Sequence, residues 1–311
     1  MKILVTGSSG FIGYHLIKNL ISIGYEVVGI DDHNDSYDPK LKKRRNELLR
    51  SDLFTFYQTS IHDLDDISNE FDVAINLAAQ AGVRYSIENP EVYLNSNIIG
   101  TFNIIEIAKR IKTKHLIIGS SSSVYGANKK MPFKEIDKTD HQISFYAATK
   151  KSTENLAHTY STLWKLPTTV LRFFTVYGPW GRPDMAMYIF ADKIRSGEKI
   201  PVFNHGQMQR DFTYIDDIVS GIRSSIEKNY HCEIFNLGNN CCENLMDMVD
   251  HIEKALGKKA EVKYMDIQPG DVEKTFADIG HTKDKLSYEP KVSIKDGVPK
   301  FIQWYKKYHM I

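Results

Sequence analysis

Tyr146 and Lys150 stand four residues apart in the run Tyr146-Ala147-Ala148-Thr149-Lys150. On a helix, side chains at i and i+4 share one face, so the spacing predicts a phenol beside an ammonium. A free tyrosine has a pKa of about 10 and is a weak base at neutral pH. A neighbouring cation favours the phenolate and lowers that value. Such a pair can carry the proton of an alcohol that is being oxidised to a ketone. The same spacing arises by chance on solvated helices, so its weight depends on what else the chain carries.

Gly7-Ser8-Ser9-Gly10-Phe11-Ile12-Gly13 supplies that weight, because it follows an apolar run and opens a helical pattern. Glycines in that setting permit a tight turn, close approach of a pyrophosphate to the backbone, and close packing of helix on sheet. The helix N-terminus then offers free N–H groups and its positive dipole end to the phosphates. Asp31 closes the next apolar run, 18 residues after Gly13. An acid there accepts hydrogen bonds from the adenosine ribose and repels a 2′-phosphate, so NAD is expected rather than NADP. His33, Asn34 and Tyr37 follow directly and are within chain reach of the adenosine.

These residues need a scaffold of alternating strands and helices. Lys2 to Thr6, Tyr25 to Ile30, Asp72 to Leu77, His115 to Ser120 and Thr168 to Phe174 read as buried strands. Phe11 to Ile23, stopped by Gly24, reads as a helix, as do Pro90 to Arg110 and Tyr146 to Trp164. The alternation predicts an α/β fold, a Rossmann-type doubly wound parallel sheet. After Gly178 the texture changes: Pro179, Gly181 and Pro183 mark a break, followed by short helices such as Asn244 to Leu256 and isolated strands. The expected division is a NAD-binding domain over residues 1–177 and a smaller α/β substrate lobe over 178–311, with later segments returning to the first.

Forty basic and 39 acidic side chains leave a net charge of +1, which gives no pull towards nucleic acid or an anionic membrane. The basic run Lys40 to Arg45 reads as a solvated helix start, with a phosphate-facing patch as the alternative. Cys232, Cys241 and Cys242 have neither disulfide-framework nor metal-ligand spacing, which fits a reducing cytoplasm and no bound metal. Ile3-Leu4-Val5 is too short for a secretory core, and no stretch approaches the roughly 18 apolar residues of a membrane span. His15, His158, Trp164 and Trp304 read as packing or surface residues.

Longer strings carry a resemblance. They are Asn76 to Ser86, Ser120 to Gly126, Arg172 to Ala186 with Gly178-Pro179-Trp180-Gly181-Arg182-Pro183-Asp184 inside it, and Gln209 to Tyr214. With the Gly-x-x-Gly-x-x-Gly spacing, they make the chain resemble an extended short-chain dehydrogenase/reductase of the nucleotide-sugar epimerase/dehydratase family, as far as about Asp278. Within that family it is most similar to the UDP-glucuronate 4-epimerases. The resemblance implies a catalytic trio of Ser121, Tyr146 and Lys150, with Ser121 on the sugar's 4-oxygen and Lys150 on the nicotinamide ribose. It implies that Ile61, Ala78, Ala79, Gln80 and Asn97 line the cofactor, that Arg210 grips a UDP diphosphate, and that Asp271 binds the uridine side. It also implies a homodimer paired through the helices at about Pro90 to Arg110 and Tyr146 to Trp164.

In the implied reaction, Tyr146 takes the 4-hydroxyl proton while hydride leaves C4 for NAD. The keto sugar then turns and receives the hydride on its other face. A uronate hazards decarboxylation as a β-keto acid, and Arg182 is expected to anchor its carboxylate with a planar grip, helped by Thr175, Ser122 and Ser123. The plainer alternative pairs Arg182 with Asp184. Relatives that dehydrate or decarboxylate carry acids just after the catalytic Ser or Thr, where Ser122 and Ser123 stand here. Departures are Ser60 for an adenine-side Asp, Asn76 for a common His, Asp192 for a frequent Lys, and Ser121 for the commoner Thr. A 4-epimerase of neutral UDP-hexoses or UDP-N-acetylhexosamines, and a non-catalytic nucleotide sensor, remain as alternatives.

Overall fold

The computed structural model describes residues 1–64 and 70–310. Its first half runs β1 Lys2–Thr6, α1 Phe11–Ser22, β2 Glu26–Ile30, α2 Pro39–Glu47, β3 Phe54–Tyr57 and β4 Val73–Asn76. Short helices α3 Tyr85–Glu88 and α4 Pro90–Tyr93 lead through a π-helical turn, Leu94–Ile99, into α5 Gly100–Arg110. Then come β5 His115–Ser121, α6 Phe145–Trp164 and β6 Thr168–Phe173. The second half contains β7 Thr175–Tyr177, α7 Ala186–Ser196, β8 Ile200–Val202, β9 Gln209–Arg210, β10 Phe212–Tyr214, α8 Ile215–Glu227, β11 Cys232–Leu237 and β12 Glu243–Asn244. It ends with α9 Leu245–Leu256, β13 Val262–Tyr264, α10 Gly280–Leu286 and α11 Ile294–His309.

The main sheet has seven strands in the order β11-β6-β5-β4-β1-β2-β3, every pair parallel. Ile3, Leu4, Val5, Ile75, Leu116 and Ile117 are all but inaccessible, as a sheet covered by helices on both faces requires. Strand order reverses between β1 and β4. In open parallel sheets the crevice beyond that switch point is where ligands bind. The loops after β1 and β4 carry Gly7 to Gly13 and Leu77 to Gln80. In the second half, strands pair as β10-β7, β12-β9 and β13-β8, and α9 packs against α7 and α11. β11 returns to the main sheet beside β6. No helix among the described residues is long and apolar enough to cross a membrane.

The helix expected over 90–110 is interrupted. The π-helical turn seats Asn97, whose amide bonds the backbone of Gln80 on both sides and the Thr149 hydroxyl. Such wide turns recur at functional sites. The basic run also departs from expectation. Asp38 caps α2 by accepting from the Lys40 N–H, and Pro39 starts it. Lys40, Lys43 and Arg44 face solvent, but Lys42 and Arg45 turn inwards and are buried.

A buried ion pair fixes α6 to the sheet. Glu154 accepts from Arg172 Nε at 2.9 Å, Arg172 Nη2 at 2.8 Å and Ser120 Oγ at 2.7 Å. The Arg172 guanidinium lies 4.8 Å from the Tyr125 ring centre. Removing one partner of a buried pair strands the other charge at a cost of about 3–5 kcal/mol. Arg172→Met is therefore expected to lower unfolding free energy by about that amount, read from urea titration at neutral pH. A loss below about 1 kcal/mol would show that Glu154 is satisfied without the guanidinium.

Candidate active site

A cavity of about 500 Å³ opens over the switch point and is lined on one side by second-half residues. At one end, α1 starts at Gly10 with no side-chain cap, so its first N–H groups are left for a ligand. Gly7, Gly10, Phe11, Ile12 and Gly13 line this end. A Cβ on Gly13 would lie 2.2 Å from Gly7 O, and one on Gly7 (φ +66) would lie 2.8 Å from Ala78 N. Asp31 is there too, accepting from the Ser9 and His33 N–H groups at 3.1 and 2.9 Å. Burial pushes its carboxyl up, against the pull of the His33 N–H and the Lys42 charge. Asn34, Tyr37, Ser60 and Ile61 complete the wall, while His33 turns away to bond Ser9 Oγ.

The expected trio meets at the centre. Ser144 caps α6 by accepting from the Ala147 N–H, which sets the phase that brings both Tyr146 and Lys150 to the cavity. Ser121 and Tyr146 line the same wall, and the Ser121 hydroxyl bonds Ser123, donating to its Oγ at 3.2 Å and accepting from its N–H at 3.1 Å. Lys150 Nζ donates to Gly119 O at 2.8 Å, and burial pushes its ammonium down to about 8 although Glu154 acts the other way. α6 thus rests on β5 through two rungs: Lys150 on Gly119 and Glu154 on Ser120. One expectation is corrected. The sequence predicts a lowered Tyr146, but burial raises it, and the opposing pulls come from the Ser121 hydrogen bond and the Arg182 charge.

Ser122, Ser123, Thr175 and Arg182 line the same chamber. Arg182 holds Asp184 through Nε at 3.0 Å and Nη2 at 2.5 Å, the plainer of the two expectations, and it also lines the cavity. At the far end Arg210 Nη2 bonds Asp271 Oδ1 at 2.8 Å, which joins the residues expected at the diphosphate and the uridine. Ala78, Ala79 and Gln80 line the wall, but Asn97 sits one layer behind and holds Gln80 in place. Among the described residues, the carboxylates lining the cavity are Asp31, Asp32 and Asp271, none of them beside Ser121 and Tyr146. No described group of His, Cys, Asp and Glu is arranged to hold a metal.

Residues 3–238 match the model of a family described as the NAD dependent epimerase/dehydratase family. The chain belongs to that family. It is 48% identical to Protein CapI of Staphylococcus aureus over 99% of both chains. It is 43% identical to a probable UDP-glucuronate 4-epimerase of Rhizobium meliloti, covering 98% of this chain and 97% of that one. The crystal structure of the Bacillus cereus UDP-glucuronic acid 4-epimerase, in complex with UDP-glucuronic acid and NAD, superposes with a TM-score of 0.94 at 36% identity, covering 99% of this chain and 100% of that one.

The first βα turn of this family member fits the dinucleotide that the family uses. Its glycines leave backbone where a side chain would stand, and uncapped N–H groups face the space for a pyrophosphate. Gly13→Ala forces a methyl against the Gly7 carbonyl, and overpacking of this kind costs about 1–3 kcal/mol. The variant is expected to lose NAD during gel filtration, read from the cofactor released on denaturation. Wild-type retention would show that the turn yields freely. Sequence reasoning missed Lys42, Val83, Ile143 and Met185, which also line the cavity. Lys42 stood inside the basic run, and Val83 and Met185 inside the strings that carry the resemblance, while Ile143 left no signal.

Proposed function

We propose that this protein converts UDP-glucuronate and UDP-galacturonate into each other by NAD-dependent inversion at C4. One observation carries the sugar assignment: a guanidinium, Arg182, on a chamber wall that has serine and threonine hydroxyls and lacks a carboxylate beside Tyr146. Bound NAD supplies the acceptor and donor of the C4 hydride. Tyr146 takes the 4-hydroxyl proton and later returns it, and Ser121 holds the 4-oxygen. Lys150 keeps a positive charge at the inner wall. Arg182 grips the carboxylate out of line with the ketone and so slows loss of carbon dioxide. Among the described residues no acid lines the chamber beside Ser121 and Tyr146, which disfavours dehydration.

The structure's similarity to the complex from Bacillus cereus supports this reading. Residues 1–177 would hold NAD and 178–311 the UDP moiety, Arg210 on the diphosphate and Asp271 on the uridine side. Incubation with UDP-glucuronate and chromatography of the products tests the proposal: UDP-galacturonate is the expected product, and a UDP-pentose alone would reject it. A specific observation favours a second reading, 4-epimerisation of neutral UDP-hexoses, because Asp184 already supplies Arg182 with a carboxylate. Exposed Val92, Leu94, Ile99, Phe102, Leu163 and Trp164 on the helices about 90–110 and on α6 support pairing of two copies there, which sedimentation would detect.

A further inference from the structure

Arg45 is fully buried on α2, yet no carboxylate among the described residues pairs with it. Its acceptors are neutral. Nη1 donates to Ser9 O at 3.0 Å and to the Tyr37 hydroxyl at 2.6 Å. Nη2 donates to Trp180 O at 2.6 Å and Gly181 O at 3.4 Å. The planar fork thus joins two segments far apart in sequence: the glycine loop after β1, and the turn that ends at Arg182. A buried guanidinium without a counter-charge is costly, which speaks against simple filler.

The turn is held from the cofactor side by other groups as well. His15 Nε2 of α1 bonds Pro179 O at 2.8 Å, and burial keeps that imidazole neutral by pushing it down to about 4. The Trp180 ring lies 5.7 Å from that of Tyr14. Trp180 has a φ of 62, a left-handed conformation that non-glycine residues adopt only when their surroundings impose it. A chain segment belonging by sequence to the second half is therefore shaped by α1, α2 and the glycine loop.

We propose that Arg45 is a positioning residue for acid recognition: it fastens the turn before Arg182 to the pyrophosphate loop, so that cofactor site and carboxylate grip share one register. This rests on the reading of Arg182 as that grip. It follows that acid binding and dinucleotide binding are linked, and linkage is reciprocal. Methionine at position 45 fills the space without bridging, and lysine keeps the charge but cannot reach both carbonyl groups.

Calorimetric titration of UDP-glucuronate and UDP-glucose into NAD-loaded protein tests this. Arg45→Met and Arg45→Lys are each expected to weaken UDP-glucuronate about 10-fold, a typical coupling between linked sites, while UDP-glucose changes less than about 2-fold. Arg45→Met combined with Arg182→Ala should show no greater loss of acid preference than Arg182→Ala alone. Equal weakening of both ligands, or of neither, overturns the proposal. So does failure of both single variants to fold, which would assign Arg45 to stability. If Arg182→Ala leaves acid preference intact, the reading of Arg182 fails first and takes this inference with it; if Arg182→Ala removes the preference and the Arg45 variants do not, only the inference fails.

Discussion

Tyr146→Phe is expected to lower inversion at C4 by about 10²–10⁴-fold, the range that positioned proton transfer contributes. Phenylalanine keeps the ring, and the ring's edge-to-face contact with Tyr93, whose centroid is 6.0 Å away, should persist. NAD retention and melting temperature should therefore stay near wild type, so that loss of rate without loss of cofactor isolates the proton step. Burial raises the phenol in the resting protein, against the Ser121 hydrogen bond and the Arg182 charge. The residue that gives up its proton most readily in isolation is not what this site provides. It provides a half-buried phenol at the cavity wall whose protonation responds to neighbouring charge. The measurement is conversion of UDP-glucuronate followed by chromatography. Inversion at more than about a tenth of the wild-type rate would remove Tyr146 from the chemistry.

Arg182→Ala is the second large effect. Truncating one partner of a hydrogen-bonded charge pair at a binding site costs about 2–5 kcal/mol, which is about 30-fold or more in affinity. Turnover of UDP-glucuronate should fall by at least that factor, while any turnover of UDP-glucose should hold. The product mixture carries a second readout. A uronate whose carboxylate swings freely beside a C4 ketone loses carbon dioxide, so the share of UDP-pentose should rise. Equal losses with acid and neutral sugar would favour the neutral-hexose reading. Asp184 takes Nε and one edge of Nη2, which leaves Nη1 for an incoming acid.

The glycine turn, Asp31 and the helix phase that brings Tyr146 and Lys150 to the cavity were legible because each depends on a few neighbouring residues and one local period. β1, β2, β4, β5 and β6 were legible for the same reason, to within a residue or two at their ends, whereas the edge strands β3 and β11 were not. Contacts over long separations were not. Nothing in the sequence joins Arg210 to Asp271, and Asn97 gives no sign that it stands behind Gln80 rather than in the wall. Lys42 and Arg45 were misread because long cationic side chains are mostly solvated; Lys42 turns in to Asn34 and Ser36, and Arg45 is held by the Trp180 turn, more than a hundred positions away. The second half was least legible. β9 and β12 are two residues long, too short for alternation to register. The direction of the Tyr146 shift belongs to tertiary burial, which i, i+4 reasoning does not contain.

The polar rungs that seat α6 on β5 have a consequence for stereochemistry. Because α6 is seated on β5 through Lys150 and Glu154, its phenol and ammonium and the serine hydroxyl of β5 form one stator on one side of the chamber. In the proposed reaction, inversion of configuration therefore needs a rotor, a part that falls to the keto sugar, swinging about its tether to the nucleotide.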